Sequence, residues 1–226
     1  MATKKTKGKW IVKLLKAAVT AYLLLILCQM IGNAYSRLSI THKIPVSEEW
    51  NLIVVNRWNE LPEDYSVELT ELSNGQKVDS RIYPYLQEMF DAARAEGIYP
   101  IVREGYRTAE EQQEILDDKI QTYINQGYSQ SRAEKTAKEW VALPGTSEHQ
   151  LGIAVDINAD KSKCSNEEVY AWLAENAYKY GFVLRYPPGK QKITGTSYEP
   201  WHYRYVGEEA AKEIYERGIC LEEYFK

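Results

Sequence analysis

The sequence predicts an α+β fold: a small, mostly antiparallel sheet flanked by helices and preceded by one N-terminal transmembrane helix. Three observations carry this reading. Helical and extended segments interleave without the regular alternation of a parallel βαβ sheet. Residues 150–158 alternate as a half-buried strand does, with Leu151, Ile153, Val155 and Ile157 on one face and Gly152, Ala154, Asp156 and Asn158 on the other. Residues 17–32 read AAVTAYLLLILCQMIG with no charge, directly after Lys13 and Lys16.

Taken in order, residues 1–9 form a basic tail and 10–32 a helix of about 23 residues, long enough to span roughly 30 Å of hydrocarbon. The lysine-rich flank predicts a single-pass anchor with the body outside the cytoplasm. A cleavable signal peptide ending near Gly32-Asn33-Ala34, and so a secreted form, is the first alternative. A buried core helix is the second, and six preceding lysines fit it badly. Residues 33–50 read as a stalk and 51–226 as the folded body.

The body opens on an apolar run, Asn51 to Val55, expected as a strand. Residues 62–80, with Pro62 and Asn74-Gly75, read as irregular or hairpin structure. Apolar residues at 82, 85, 86, 89, 90 and 93 predict a helix over 81–96, closed by Gly97. A strand over 99–104 follows. A second helix runs from Thr108, the N-cap partner of Glu111 in a capping box, to Gln126. A third covers 131–140. After a Pro/Gly loop at 143–147 come the strand 150–158, a helix over 165–180, strands at 182–186 and 202–206, and a helix over 208–217 closed by Gly218.

The chain carries 28 Lys and Arg against 32 Asp and Glu, a net charge of -4. Six of the lysines and none of the acids fall in the first 34 residues. The remainder therefore holds 22 basic and 32 acidic residues, near -10. So acidic a body is a poor partner for nucleic acid. Of three cysteines, Cys28 lies in the apolar run, while Cys164 and Cys220 could pair in an oxidising compartment. No Cys-x-x-Cys occurs, which argues against a thiolate metal site.

Two stretches carry chemistry. One is Ser147-Glu148-His149 through Asp156; the other is Glu199-Pro200-Trp201-His202. Two of the three histidines fall here. His149, Asp156 and His202 make a set of two imidazoles and a carboxylate. Three protein ligands with one position left open is how catalytic zinc is held. Glu199, three residues before His202, is placed to act as a general base.

These stretches resemble the S-x-H-x-x-G-x-A-x-D and E-x-W-H motifs of the VanY-type D-alanyl-D-alanine carboxypeptidase family, zinc peptidases that share a fold with the hedgehog signalling domain. The likeness extends over roughly residues 50–225. It includes Glu104-Gly105-Tyr106-Arg107-Thr108 and Gln112. It implies one zinc ion per chain on His149, Asp156 and His202, Glu199 as catalytic base, and Arg107 facing the scissile carbonyl and the substrate carboxylate. It implies substrate contacts from Gln112 and Ser147, and a pocket wall from Trp201. For these four the alternatives are, in turn, an ion pair of Arg107 with Glu110 or Glu111, helix surface, loop capping and core packing. Arg103 is a second candidate for the carboxylate, and Tyr186, Pro187 and Pro188 are candidate wall residues.

The activity so implied is removal of the terminal D-alanine from peptidoglycan stem peptides by a monomer. L,D-carboxypeptidase, D,D-dipeptidase and endopeptidase activities would use the same metal site. A non-catalytic peptidoglycan-binding module is the alternative of another class.

Overall fold

The computed structural model describes residues 43–225. The expected tail and transmembrane helix lie outside the described residues. Among the described residues no helix is long and apolar enough to cross a membrane. Residues 43–50, which the sequence assigns to the stalk, lie against the body. Ile44 donates its N–H to Asn59 Oδ1 (2.8 Å), and the Trp50 ring stacks on Tyr205 at 5.8 Å.

The body is α+β, as expected, and both of its sheets are antiparallel. A hairpin, β1 (Leu69–Glu71) and β2 (Lys77–Asp79), turns at Asn74-Gly75, where Gly75 takes φ 82°. Helix α1 (Tyr83–Ala95) buries Leu86, Met89, Phe90 and Ala93, the stripe that its spacing marks. Strand β3 (Pro100–Glu104) leads to α2 (Ala109–Asn125). Both capping-box bonds between Thr108 and Glu111 are present. The short α3 (Gln130–Ala137) packs on α2.

A 3-10 turn, Glu148–Leu151, precedes β4 (Ala154–Ala159). Helix α4 (Asn166–Asn176) ends in a second 3-10 turn at Ala177–Tyr180 rather than running to 180 as one helix. Then follow β5 (Phe182–Leu184), α5 (Gln191–Thr194), β6 (His202–Tyr205), α6 (Glu208–Arg217) and α7 (Leu221–Tyr224). The short helices α5 and α7 were not expected. The main sheet has the order β3-β4-β6-β5.

Two expectations are corrected. Asn51 and Leu52 lie in a turn and Ile53 to Val55 in irregular backbone; Leu52 to Val55 are buried, and the segment belongs to neither sheet. Its side chains alternate between two cores, with Ile53 and Val55 in the larger cluster and Leu52 and Val54 in the one under α6. The carbonyls of Asn51 and Ile53 accept from Arg204 Nη2 (3.0 and 2.8 Å), so a guanidinium stands where a neighbouring strand would.

The second correction is at 150–158. The strand begins only at Ala154, because Gly152 adopts φ 74° and the residues before it coil into the 3-10 turn. An L side chain at 152 would be strained, and its Cβ would approach Asp79 N to 3.2 Å. Leu151 and Ile153 still enter the core as the alternation implies. Cys164 and Cys220 are both free thiols and form no disulfide. Cys164 Sγ accepts from Tyr99 N (3.3 Å), and burial pushes the Cys220 thiol up to about 12.

Candidate metal centre

The centre follows from register. In the β4–β6 ladder Asp156 stands opposite His202, and in the β3–β4 ladder, past a bulge, it also stands opposite Glu104. His149 comes from the 3-10 turn that Gly152 folds back toward β4. Its Nδ1 donates to Gly105 O (2.7 Å), since a carbonyl can only accept. That leaves His149 Nε2 as the free lone pair, 3.5 Å from Asp156 Oδ1. His202 Nδ1 lies 3.0 Å from the same oxygen. The two rings are 4.9 Å apart and nearly perpendicular. One donor atom from each residue lies within 4.8 Å of the others, the spacing that lets three side chains grip one cation.

Asp156 Oδ1 tests the fit. It is buried, forms no hydrogen bond, and has two imidazole nitrogens turned toward it. An orphaned buried carboxylate oxygen is costly unless an ion or donor completes it. Two nitrogens and one oxygen, with no thiolate, suit zinc.

The electrostatics agree. Burial would raise the Asp156 carboxyl, but His149 and His202 hold it well below the usual range. Burial, reinforced by Arg107, keeps the His149 imidazole neutral by lowering its pKa. His202 is pushed the other way. Burial opposes its charge, yet Asp156 and Glu148 raise it to about 9. Glu199 rises to about 7, chiefly through burial, with Asp156 adding and His202 opposing. Its Oε2 is 3.8 Å from His202 Nδ1.

Arg107 lies beside the set. Its Nη2 is 3.6 Å from Asp156 Oδ2, its Nε 3.6 Å from Glu104 Oε2, and its Nη1 donates to Gln112 Oε1 (3.3 Å). It pairs with neither alternative partner, Glu110 or Glu111. Gln112 is buried, and its Nε2 donates to Ala142 O (2.8 Å), so both ends of its amide are engaged by the protein. Gly105 permits a close approach behind the site, since a Cβ there would lie 2.2 Å from Lys77 O.

The eight residues to which the resemblance gives a role line one cleft of about 150 Å³: His149, Asp156, His202, Glu199, Arg107, Gln112, Ser147 and Trp201. Tyr186 is in the wall too, its ring 4.8 Å from that of His202. Arg103 is exposed on β3 and does not line it. Pro187 lines a separate apolar cavity.

Sequence reasoning missed Glu148 and Trp140, which also line the cleft. Glu148 is 1% exposed. Its Oε1 accepts from Arg185 Nε (2.7 Å) and Arg204 Nη1 (2.9 Å). Arg185 in turn bonds both oxygens of Glu222. Nothing local in the sequence marks these four as buried, because charged residues are by default exposed.

The comparisons converge on one family. The model of the VanY family, D-alanyl-D-alanine carboxypeptidase, matches residues 75–208. A D-alanyl-D-alanine carboxypeptidase of Enterococcus faecalis is 62% identical over 177 residues, 78% of this chain and 66% of that relative's own length. The chain is also similar to the crystal structure of a mutant vancomycin resistance D,D-pentapeptidase VanY from a VanB-type resistance cassette in complex with Zn(II). There the identity is 61% and the TM-score 0.78, over 79% of this chain and 100% of the other. For VanYB in complex with D-alanine-D-alanine, identity is 62% and TM-score 0.77, over 78% and 97% of the two chains. With that match spanning both histidine stretches, the chain belongs to the VanY family of D-alanyl-D-alanine carboxypeptidases.

Proposed function

We propose that this chain is a zinc-dependent D,D-carboxypeptidase that removes the terminal D-alanine from peptidoglycan stem peptides. The observation that carries the reading is the unpartnered, buried Asp156 Oδ1 between His149 Nε2 and His202 Nδ1, with Glu199 alongside. His149, Asp156 and His202 hold the ion. When bound, zinc polarises the scissile carbonyl and makes water more acidic.

The chain's own residues do the rest. Glu199 accepts the proton of the attacking water and returns it to the leaving amine, so that one water is consumed and D-alanine and a shortened peptide leave. Arg107 offers a guanidinium to the substrate's carboxylate or to the charge that develops on the carbonyl oxygen. Gln112 holds Arg107 in place through its Oε1. Ser147 and Trp201 border the space that the substrate fills. A non-catalytic module would have no use for a base beside an open metal position.

Defined peptides test the reading. The full chain in detergent is expected to release D-alanine from a pentapeptide ending in D-Ala-D-Ala. Chelation should stop this and zinc should restore it. Release from a tetrapeptide alone would move the assignment to L,D-carboxypeptidase, and cleavage of free D-Ala-D-Ala to dipeptidase. Activity that survives complete metal removal would overturn it.

We also propose that residues 10–32 tether the enzyme to the membrane with its body outside. The uncharged run behind six lysines supports this. Protease added to intact cells should degrade the body; a body protected until lysis would place it in the cytoplasm.

A further inference from the structure

Among the buried polar atoms near the metal centre that lack hydrogen bonds, two face each other. They are Glu148 Oε2 and His202 Nε2, 3.7 Å apart. Glu148 cannot turn away. Its other oxygen is fixed by two arginines from different strands' ends, Arg185 after β5 and Arg204 on β6, neither of which has any solvent exposure. Arg185 is itself clamped by Glu222, which also accepts from Asn56 Nδ2 (3.0 Å). Glu148 Oε2 is therefore an acceptor held at the back of the imidazole whose front nitrogen, Nδ1, points to Asp156.

An imidazole can offer a lone pair at Nδ1 and a proton at Nε2, or the reverse. What sits behind the ring decides between them. We propose that Glu148 is a positioning residue for the metal centre: its Oε2 accepts the Nε2–H of His202 and thereby selects the tautomer that presents the Nδ1 lone pair to the cation. His149 is set in the mirror sense, with Gly105 O taking its Nδ1–H and leaving Nε2 free. One histidine thus binds through each type of nitrogen, and each is oriented by an acceptor behind it. The inference rests on the metal reading above and adds to it a residue that does not touch the ion or the substrate.

The informative variant is Glu148→Gln. The arginines need an oxygen where Oε1 stands, so the new amide must turn its NH₂ toward His202. An NH₂ there requires Nε2 to accept, which moves the ring proton to Nδ1 and blocks coordination. Competition with a chromophoric chelator, on the full chain in detergent, should show zinc affinity falling about 10–100-fold. Asp79→Asn is the control. Asp79 is fully buried and bonded to Arg81, outside the cleft. That variant should melt earlier yet bind zinc as the unaltered chain does.

A second measurement needs no variant. The sequence has three histidines, so ¹⁵N-histidine spectra of the zinc-loaded chain are readily assigned. His202 should carry its proton on Nε2, and His149 on Nδ1. Unchanged zinc affinity in Glu148→Gln, or a His202 with no proton on Nε2, would overturn the positioning role and leave the metal reading standing. An unaltered chain that takes up no zinc would overturn both. Should Glu148→Gln fail to fold, the spectra of the unaltered chain decide alone.

Discussion

Glu199→Gln is expected to lower kcat by about 10²–10⁴-fold while the protein still binds zinc, because the amide keeps the shape of the side chain and loses only its basicity. The effect is large since one carboxylate serves two steps, taking a proton from water and giving it to the amine. Glu199 is well placed for both. It is 8% exposed and starts the turn that leads into His202, and burial brings it to about 7 before any cation is present.

A bound dication lowers that value, so in the loaded enzyme the group is ionised at neutral pH. A base must be deprotonated to work. The sign therefore follows: kcat/KM rises with pH through the Glu199 pKa, and this acid limb should be missing from whatever activity the variant retains. Zinc content by metal analysis and steady-state rates on a pentapeptide check both halves. A Glu199→Gln enzyme of full activity would remove the base assignment, and one that had lost its zinc would show that Glu199 holds the ion instead.

Arg204→Leu is expected to have the largest effect on stability, a loss of about 3–5 kcal/mol, because it leaves buried partners uncompensated. Arg204 has no exposure. It bonds Glu148 Oε1 through Nη1, and the carbonyls of Asn51 and Ile53 through Nη2. Leucine satisfies none of these. Glu148 would keep only Arg185 as a cationic partner bonded to its Oε1, and the part-buried Asn51 and buried Ile53 carbonyls would lose a donor. At roughly 2–4 °C per kcal/mol for a domain of this size, the melting temperature should fall by about 6–20 °C. Thermal unfolding followed by circular dichroism reads this directly. A fall of only a degree or two would mean that water or backbone rearrangement satisfies the group. The segment 51–55 should loosen first, and amide hydrogen exchange there should accelerate more than in α1.

Much of this molecule was legible in the sequence. Periodicity located α1, because its apolar stripe recurs every three to four residues, and the Thr108–Glu111 pair marked the start of α2. The glycines at 97, 127, 181 and 218 each adopt positive φ where a helix or turn stops, a conformation that other residues rarely tolerate. His149, Asp156, Glu199 and His202 stood out because each lies in a short motif whose residue types have few other joint uses. Arg107 was legible from its own stretch, while its partners Glu104 and Asp156 were not, since that pairing depends on the bulge in β3.

Three features were decided only by the tertiary structure. Asn51 to Val55 has the composition of a strand, yet Arg204, some 150 residues away, takes the carbonyls that a ladder would have used. Residues 150–153 share the alternation of the strand that follows, yet lie in or just after a coil because Gly152 takes a left-handed turn against the Asp79 backbone. Glu148 reads as a surface acid, yet it is buried between arginines 37 and 56 residues further on.

The sequence alone therefore determined the longer helices and the glycines that end most of them, and marked His149, Asp156 and His202 as candidate ligands, because each of these rests on a short local motif. Tertiary structure decided which charges are buried and which nitrogen of each histidine turns toward Asp156. Those depend on partners brought together from distant positions, where the cost of desolvation is met only once the whole fold has formed.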